Sequence, residues 1–151
     1  MKILRLTASL AGLLLLGAGL TGCSQAVNLE AAPDANDYIC AEEMVRLPDS
    51  IVNLARRSTN AQSTAAWGSP ASVLFRCGVA PVDVSKLTCV TTSNVDWLVD
   101  DSAAPSYRFI TFARKPATEV IVDSKVTSGA AVLDELAAAV IRAKASKRCS
   151  G

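Results

Sequence analysis

The sequence predicts an α+β domain: a mostly antiparallel sheet of about five strands, N- and C-terminal helices packed on one face, and two disulfides. Three observations lead there. Between Ala71 and Val122, short apolar runs alternate with turn signals. Near the C-terminus, Leu133, Leu136, Ala137, Val140 and Ile141 recur at i, i+3, i+4, i+7 and i+8, one face of a helix. Cys40, Cys77, Cys89 and Cys149 are even in number and far apart, as a disulfide framework requires.

Taken in order, Asp37 can cap a short helix with Cys40, Met44 and Leu47 on one face, its early turns carrying Glu42 and Glu43. Pro48 ends or bends it, and Ser50 to Arg57 reads as a further helical turn or two. A polar stretch, Ser58 to Thr64, leads to Trp67-Gly68-Ser69-Pro70, a turn before the first strand. Val73–Cys77, Leu87–Thr92, Val95–Val99, Tyr107–Ala113 and Thr118–Val122 are the strands. Ser93-Asn94 forms one tight turn, and Asp100 to Ser106 with Pro105 another. The inward face of Tyr107–Ala113 stays open, because both alternating sets carry aromatics. Ser128 or Thr127 caps a final helix from about Ala130 to Lys144, with Arg142, Lys144, Lys147 and Arg148 near its negative end.

The N-terminus carries a different signal. Lys2 and Arg5 precede an apolar run from Leu10 to Leu20, and Leu20-Thr21-Gly22-Cys23 follows. This resembles a bacterial lipobox, in which the cysteine receives a diacylglyceryl group and cleavage falls just before it. A membrane-spanning anchor would need roughly 20 uninterrupted apolar residues. An ordinary secretory signal would end in an A-x-A-like site. The expected organisation is a signal peptide over 1–22, a flexible tether over 23–36 with a reach on the order of 20 Å, and a single domain over 37–151. The expected location is the extracytoplasmic face of the cell membrane, lipid-anchored at Cys23.

Export places the other cysteines in an oxidising compartment. Of the three pairings possible, Cys77 with Cys89 closes a Gly/Pro-containing segment, and Cys40 with Cys149 ties the start of the fold to its end. A zinc site would show C-x₂₋₄-C knuckles and a thiol oxidoreductase C-x-x-C, and neither spacing occurs.

Chemistry is sparse. There is no histidine, which removes Ser-His and Cys-His nucleophile pairs and the commonest zinc sites. Asp96 and Asp100 alternate onto one strand face, a conceivable two-carboxylate site, though solvent-facing acids are the plainer reading. Without Lys2 and Arg5, the 15 Lys and Arg become 13 against 14 Asp and Glu, so no basic excess points to nucleic acid. Arg76, Arg108 and Arg114, beside an exposed Trp67, are the residues that could meet an acidic or glycan wall component.

Trp67-Gly68, Arg76-Cys77-Gly78-Val79 leading through a proline to Cys89, and Val95-Asp96-Trp97-Leu98-Val99 occur together. With Leu47-Pro48-Asp49 and the Arg148-Cys149 ending, they make residues 38–150 resemble a family of actinobacterial lipoproteins known only as a domain of unknown function. The resemblance implies secreted or lipid-anchored proteins with the same cysteine placement, which supports the two pairings. It supplies no activity, ligand or catalytic residue. The expectation is a lipid-anchored cell-envelope protein, a binding or structural accessory module rather than an enzyme. It would need no cofactor or metal, and its partner would be an envelope protein or the cell wall. The alternatives are a ligand-binding domain for an acidic or glycan wall component and a carboxylate-dependent hydrolase.

Overall fold

The structure, a computed structural model, describes residues 25–149; the expected signal peptide and Cys23 lie outside the described residues. Helix α1 (Tyr38–Met44) is followed by strands β1 (Ser50–Ile51), β2 (Leu54–Arg57), β3 (Thr64–Trp67), β4 (Val73–Val79), β5 (Thr88–Thr92), β6 (Val95–Asp100), β7 (Ser106–Thr111) and β8 (Ala117–Asp123), and helix α2 (Gly129–Val140) closes the chain. All strand pairs are antiparallel, in one sheet ordered β1-β2-β3-β4-β8-β7-β6-β5. The α+β class holds, with eight strands in place of about five.

The three additional strands are the N-terminal ones. Ser50–Arg57 is a hairpin, not a helix: Ile51 pairs with Leu54 across Val52 and Asn53, whose φ values of 46° and 64° put both in the left-handed region. That is the geometry of a two-residue hairpin turn. Trp67 lies within β3 rather than in a turn, and the chain reverses at Gly68, whose φ is +96°.

One face of the sheet is covered by both helices. Val73, Phe75, Cys77, Trp97, Phe109, Val120 and Val122 meet Cys40, Leu47, Val132, Leu133, Leu136 and Val140 in a continuous core. Tyr107 and Phe109 point into this side, while Ile110 joins Ala32, Val79 and Ala117 on the other, which settles the inward face of that strand. Asp37 caps α1 as expected, its carboxylate accepting from Ile39 N at 2.8 Å. Ser128 is the N-cap of α2 but makes no side-chain cap bond. Three of the basic residues after α2 are engaged by carboxylates: Arg142 pairs with Glu42 at 3.0 Å, Lys147 with Asp83 at 3.9 Å and Arg148 with Asp96 at 2.9 Å.

Two corrections concern covalent and chain organisation. The disulfides are Cys40–Cys77 and Cys89–Cys149, with Cα separations of 5.5 and 6.4 Å. Cys77 cannot reach Cys89, because β4 and β5 are not a hairpin: β8, β7 and β6 stand between them. The connection between β4 and β5 crosses those strands instead, with Val82 O accepting from Ala113 N at 2.8 Å. The expected tether is also fastened over its described part. Ala32 and Ala35 are buried, and Asp34 N donates to Gly78 O at 3.0 Å. Gly78 (φ +100°) permits this approach, since a Cβ there would fall 2.5 Å from Ala35 N.

Mass spectrometry of non-reduced digests should recover Cys40–Cys77 and Cys89–Cys149 peptides; a Cys77–Cys89 peptide would overturn the strand order. With sequence separations of 37 and 60, loop entropy makes each bridge worth about 4 kcal/mol. Leu136 is fully buried, so Leu136→Ala should cost about 2–5 kcal/mol, whereas exposed Lys144→Ala should leave the melting temperature nearly unchanged.

Candidate functional site

The residues expected to form a ligand site do not come together. Trp67 is fully buried, its indole N–H donating to Pro48 O at 3.1 Å, with the Arg56 guanidinium 5.9 Å from its ring. It is a core residue and offers no stacking surface. Arg76 and Arg108 do converge, on Glu119 of β8. Arg76 donates from Nε and Nη2 to Oε1 at 3.1 and 2.7 Å, and Arg108 Nε pairs with Oε2. Asn28, Leu29, Glu30, Leu74, Arg76 and Glu119 line a depression of about 360 Å³ there. Glu30 and Glu119 match the two arginines in charge, so the depression has no cationic excess with which to select an acidic polymer.

Arg114 sits elsewhere and is buried. It donates from Nη1 to Ala143 O and from Nη2 to Asn94 O at 3.5 Å, clamping the chain after α2. Burial pulls its pKa down, Arg148 adds to that, and Asp96 and Glu43 oppose it.

Asp96 is an anchor for the C-terminus. Its Oδ1 accepts from Thr91 Oγ1 at 2.6 Å, and its Oδ2 accepts from Cys149 N and pairs with Arg148 Nε, both at 2.9 Å. Only 2 % of the residue is exposed. Asp100 belongs to a separate cluster, where the Ser102 hydroxyl and N–H hold its carboxyl below the ordinary value. Four residues apart on one strand, the two lie roughly 13 Å from each other along the chain, farther than paired glycosidase carboxylates stand.

The sequence places Glu43 in an early helical turn. The seven-residue α1 instead places it in the last turn, facing inward and fully buried. Thr118 Oγ1 donates to its Oε2 at 2.7 Å, while Oε1 has no hydrogen-bond partner among the described residues. Loss of hydration raises its pKa to about 8, against the lowering effects of Thr118 and Arg114, with Asp37 adding slightly to the rise.

The clearest concave surface lies between α2 and the β5–β8 half of the sheet. It is an apolar groove of about 510 Å³, within the size range of small-ligand sites. Tyr107 and Phe109 supply neighbouring rings, 6.4 Å between centroids and 19° apart in plane. Val90, Val99, Val122 and Leu133 add aliphatic walls, and Thr91, Thr92 and Ser124 place hydroxyls among them. Gly129 lets the start of α2 sit directly on Phe109, since a Cβ there would lie 2.7 Å from the ring. No carboxylate, lysine or cysteine lines it; its polar groups are the hydroxyls of Thr91, Thr92, Ser124 and Tyr107, and its walls are otherwise apolar. The sequence hid this groove because its residues come from four strands and a helix start. The signal available was the small pair Gly129-Ala130 opening an otherwise apolar helix.

These features define a disulfide-stapled α+β domain with an apolar groove beneath its C-terminal helix. The chain belongs to the family described as protein of unknown function (DUF3515), whose model matches residues 6–149. No curated protein and no solved structure matches the chain.

Glu43 gives a pH signature. Its folded pKa, about 8, lies above the unfolded 4.5. Between these values the folded state holds a proton that the unfolded state has lost, so stability falls as pH rises through the window. In Glu43→Gln the slope between pH 4.5 and 8 should flatten, read from denaturant midpoints. Equal slopes in both proteins would show that Glu43 ionises freely in the fold.

Proposed function

We propose that this protein is a lipid-anchored protein of the cell envelope, held at the extracytoplasmic membrane face through Cys23 and acting as a non-catalytic binding module. The reading includes the actinobacterial lipoprotein character implied by the sequence motifs. The observation that carries it is the Leu20-Thr21-Gly22-Cys23 sequence, ending two residues ahead of a described body whose four other cysteines are all paired. Two disulfides suit an oxidising compartment, and a lipobox supplies the route to one. The groove between α2 and the sheet is the binding surface in this reading, and its partner is an envelope component that presents an apolar group.

Two measurements test the parts separately. Mass spectrometry of the mature N-terminus should find a diacylglyceryl group on Cys23, and Cys23→Ala should leave an uncleaved precursor or release protein to the medium. A free Cys23 thiol in the wild-type protein would remove the anchor. For the groove, Val90 is 38 % exposed at the rim, so Val90→Asp should fold normally and bind an apolar fluorescent probe about tenfold more weakly, about 1.4 kcal/mol. Unchanged probe binding would remove the groove as the binding surface.

A further inference from the structure

We infer that the anchored domain has no free tether, and that the surface formed by residues 25–30 and 57–60 is held against the phospholipid headgroup layer, turning the groove away from the membrane. The inference rests on lipidation at Cys23, proposed above.

Fastening of the chain begins at the first described residue. Arg57 donates from Nη2 to Gln25 O at 2.9 Å and from Nη1 to Gly68 O at 3.1 Å, so one guanidinium joins the N-terminal segment to the β3–β4 turn. Val27 N donates to Ser58 O at 2.8 Å, Asn60 N to Val27 O at 3.3 Å, and Leu29 N to Asn60 Oδ1 at 2.9 Å. Farther on, Ser63 Oγ donates to Ala35 O at 2.6 Å. A segment held this often does not behave as a coil.

Covalent geometry then limits the separation between the anchor and the body. Gln25 follows Cys23 by two residues, and two Cα steps span at most roughly 7.6 Å. Each interfacial layer of a bilayer is roughly 5–8 Å deep. A lipid-bearing Cys23 therefore brings Gln25 and its bonded neighbours to headgroup level, whereas a free tether would have let the body drift on the order of 20 Å away.

The chemistry of this surface selects headgroups over hydrocarbon. Gln25, Asn28, Glu30, Ser58 and Asn60 are exposed and polar. The large exposed apolar residues among those described, such as Tyr38, Val84, Val90 and Val126, lie outside both segments. Arg57 and Glu30 offset each other in charge, so apposition follows from covalent reach and is indifferent to anionic lipid. Orientation follows from the sheet. Ala32 packs with Ile110 and Ala117, and Asn28–Glu30 border the depression at Arg76 and Glu119, all on the face opposite the helices. The groove belongs to the helix face and is presented outward.

The test uses the full-length lipidated protein in phosphatidylcholine vesicles and in vesicles containing phosphatidylglycerol, with amide hydrogen exchange compared against detergent micelles. Residues 25–30 and 57–60 should exchange more slowly on both vesicles, by the same factor at low and high salt, with α2 unchanged. A variant with about ten Gly and Ser residues inserted between Ser24 and Gln25 adds a span on the order of 17 Å and should lose this protection while keeping its acyl groups. Equal protection of both faces, protection of α2, or protection that survives the insertion would overturn the inference. Intact acylation without protection overturns the orientation alone; absence of acylation by mass overturns the anchor and the orientation together.

Discussion

The architecture depends on β8. It enters the sheet between β4 and β7, so it alone joins a wing of β1 to β4 with a wing of β7, β6 and β5. On the helix side, Val120 and Val122 are fully buried in the main core. On the other side Glu119, 4 % exposed, receives Arg76 from one wing and Arg108 from the other. A buried carboxylate is costly unless its lone pairs are matched, and here two guanidinium groups match them. Removing that carboxylate would leave two cations facing each other across the seam. The same residues that looked suited to grasping a ligand are thus engaged in holding the sheet together.

A similar economy governs the two ends of the described body. Asp96, buried on β6, spends both oxygens on Thr91 and on the backbone and guanidinium of the last described residues. Arg114 fixes the preceding segment through Ala143 O, and Arg57 fixes the opposite end through Gln25 O. Three charged side chains that composition alone would place on a solvated surface are clamps on backbone. Glu43 differs in holding its proton up to about pH 8, its Oε1 being without a hydrogen-bond partner among the described residues, as are Arg57 Nε and Arg114 Nε.

What the sequence revealed and what it concealed have physical reasons. Helix α2 was legible because Leu133, Leu136, Ala137 and Val140 keep one helical stripe, and the β5–β6 hairpin because Ser93-Asn94 tolerate the φ values of 45° and 64° that the turn imposes. The β1–β2 turn puts Val52 at positive φ, which a β-branched residue rarely adopts, and this obscures the turn signal of Asn53 beside it. All four residues of β3 are buried, which erases the alternation that identifies a half-exposed strand. The disulfide pairing is concealed for a topological reason: Cys77 and Cys89 are near in sequence, but the crossover between β4 and β5 sets them on strands separated by β8, β7 and β6, which leaves each to pair with a distant partner. The packed N-terminal segment was invisible because short alanines, Ala32 and Ala35, do the burying, and because the glycine that admits them, Gly78, lies far along the chain.

The two disulfides also set an order of maturation. Both partners of Cys40–Cys77 precede β5, whereas Cys89–Cys149 needs the last described residue. In a chain emerging N-terminus first, the first bridge can close around α1 and β4 while β5 to β8 are still unavailable. The β1–β4 wing is then covalently tied before its central neighbour β8 exists, and its unpaired edge must wait for that strand. Closure at Cys149 comes after every strand has been delivered, so the second bridge locks a finished sheet and the first one organises an unfinished one.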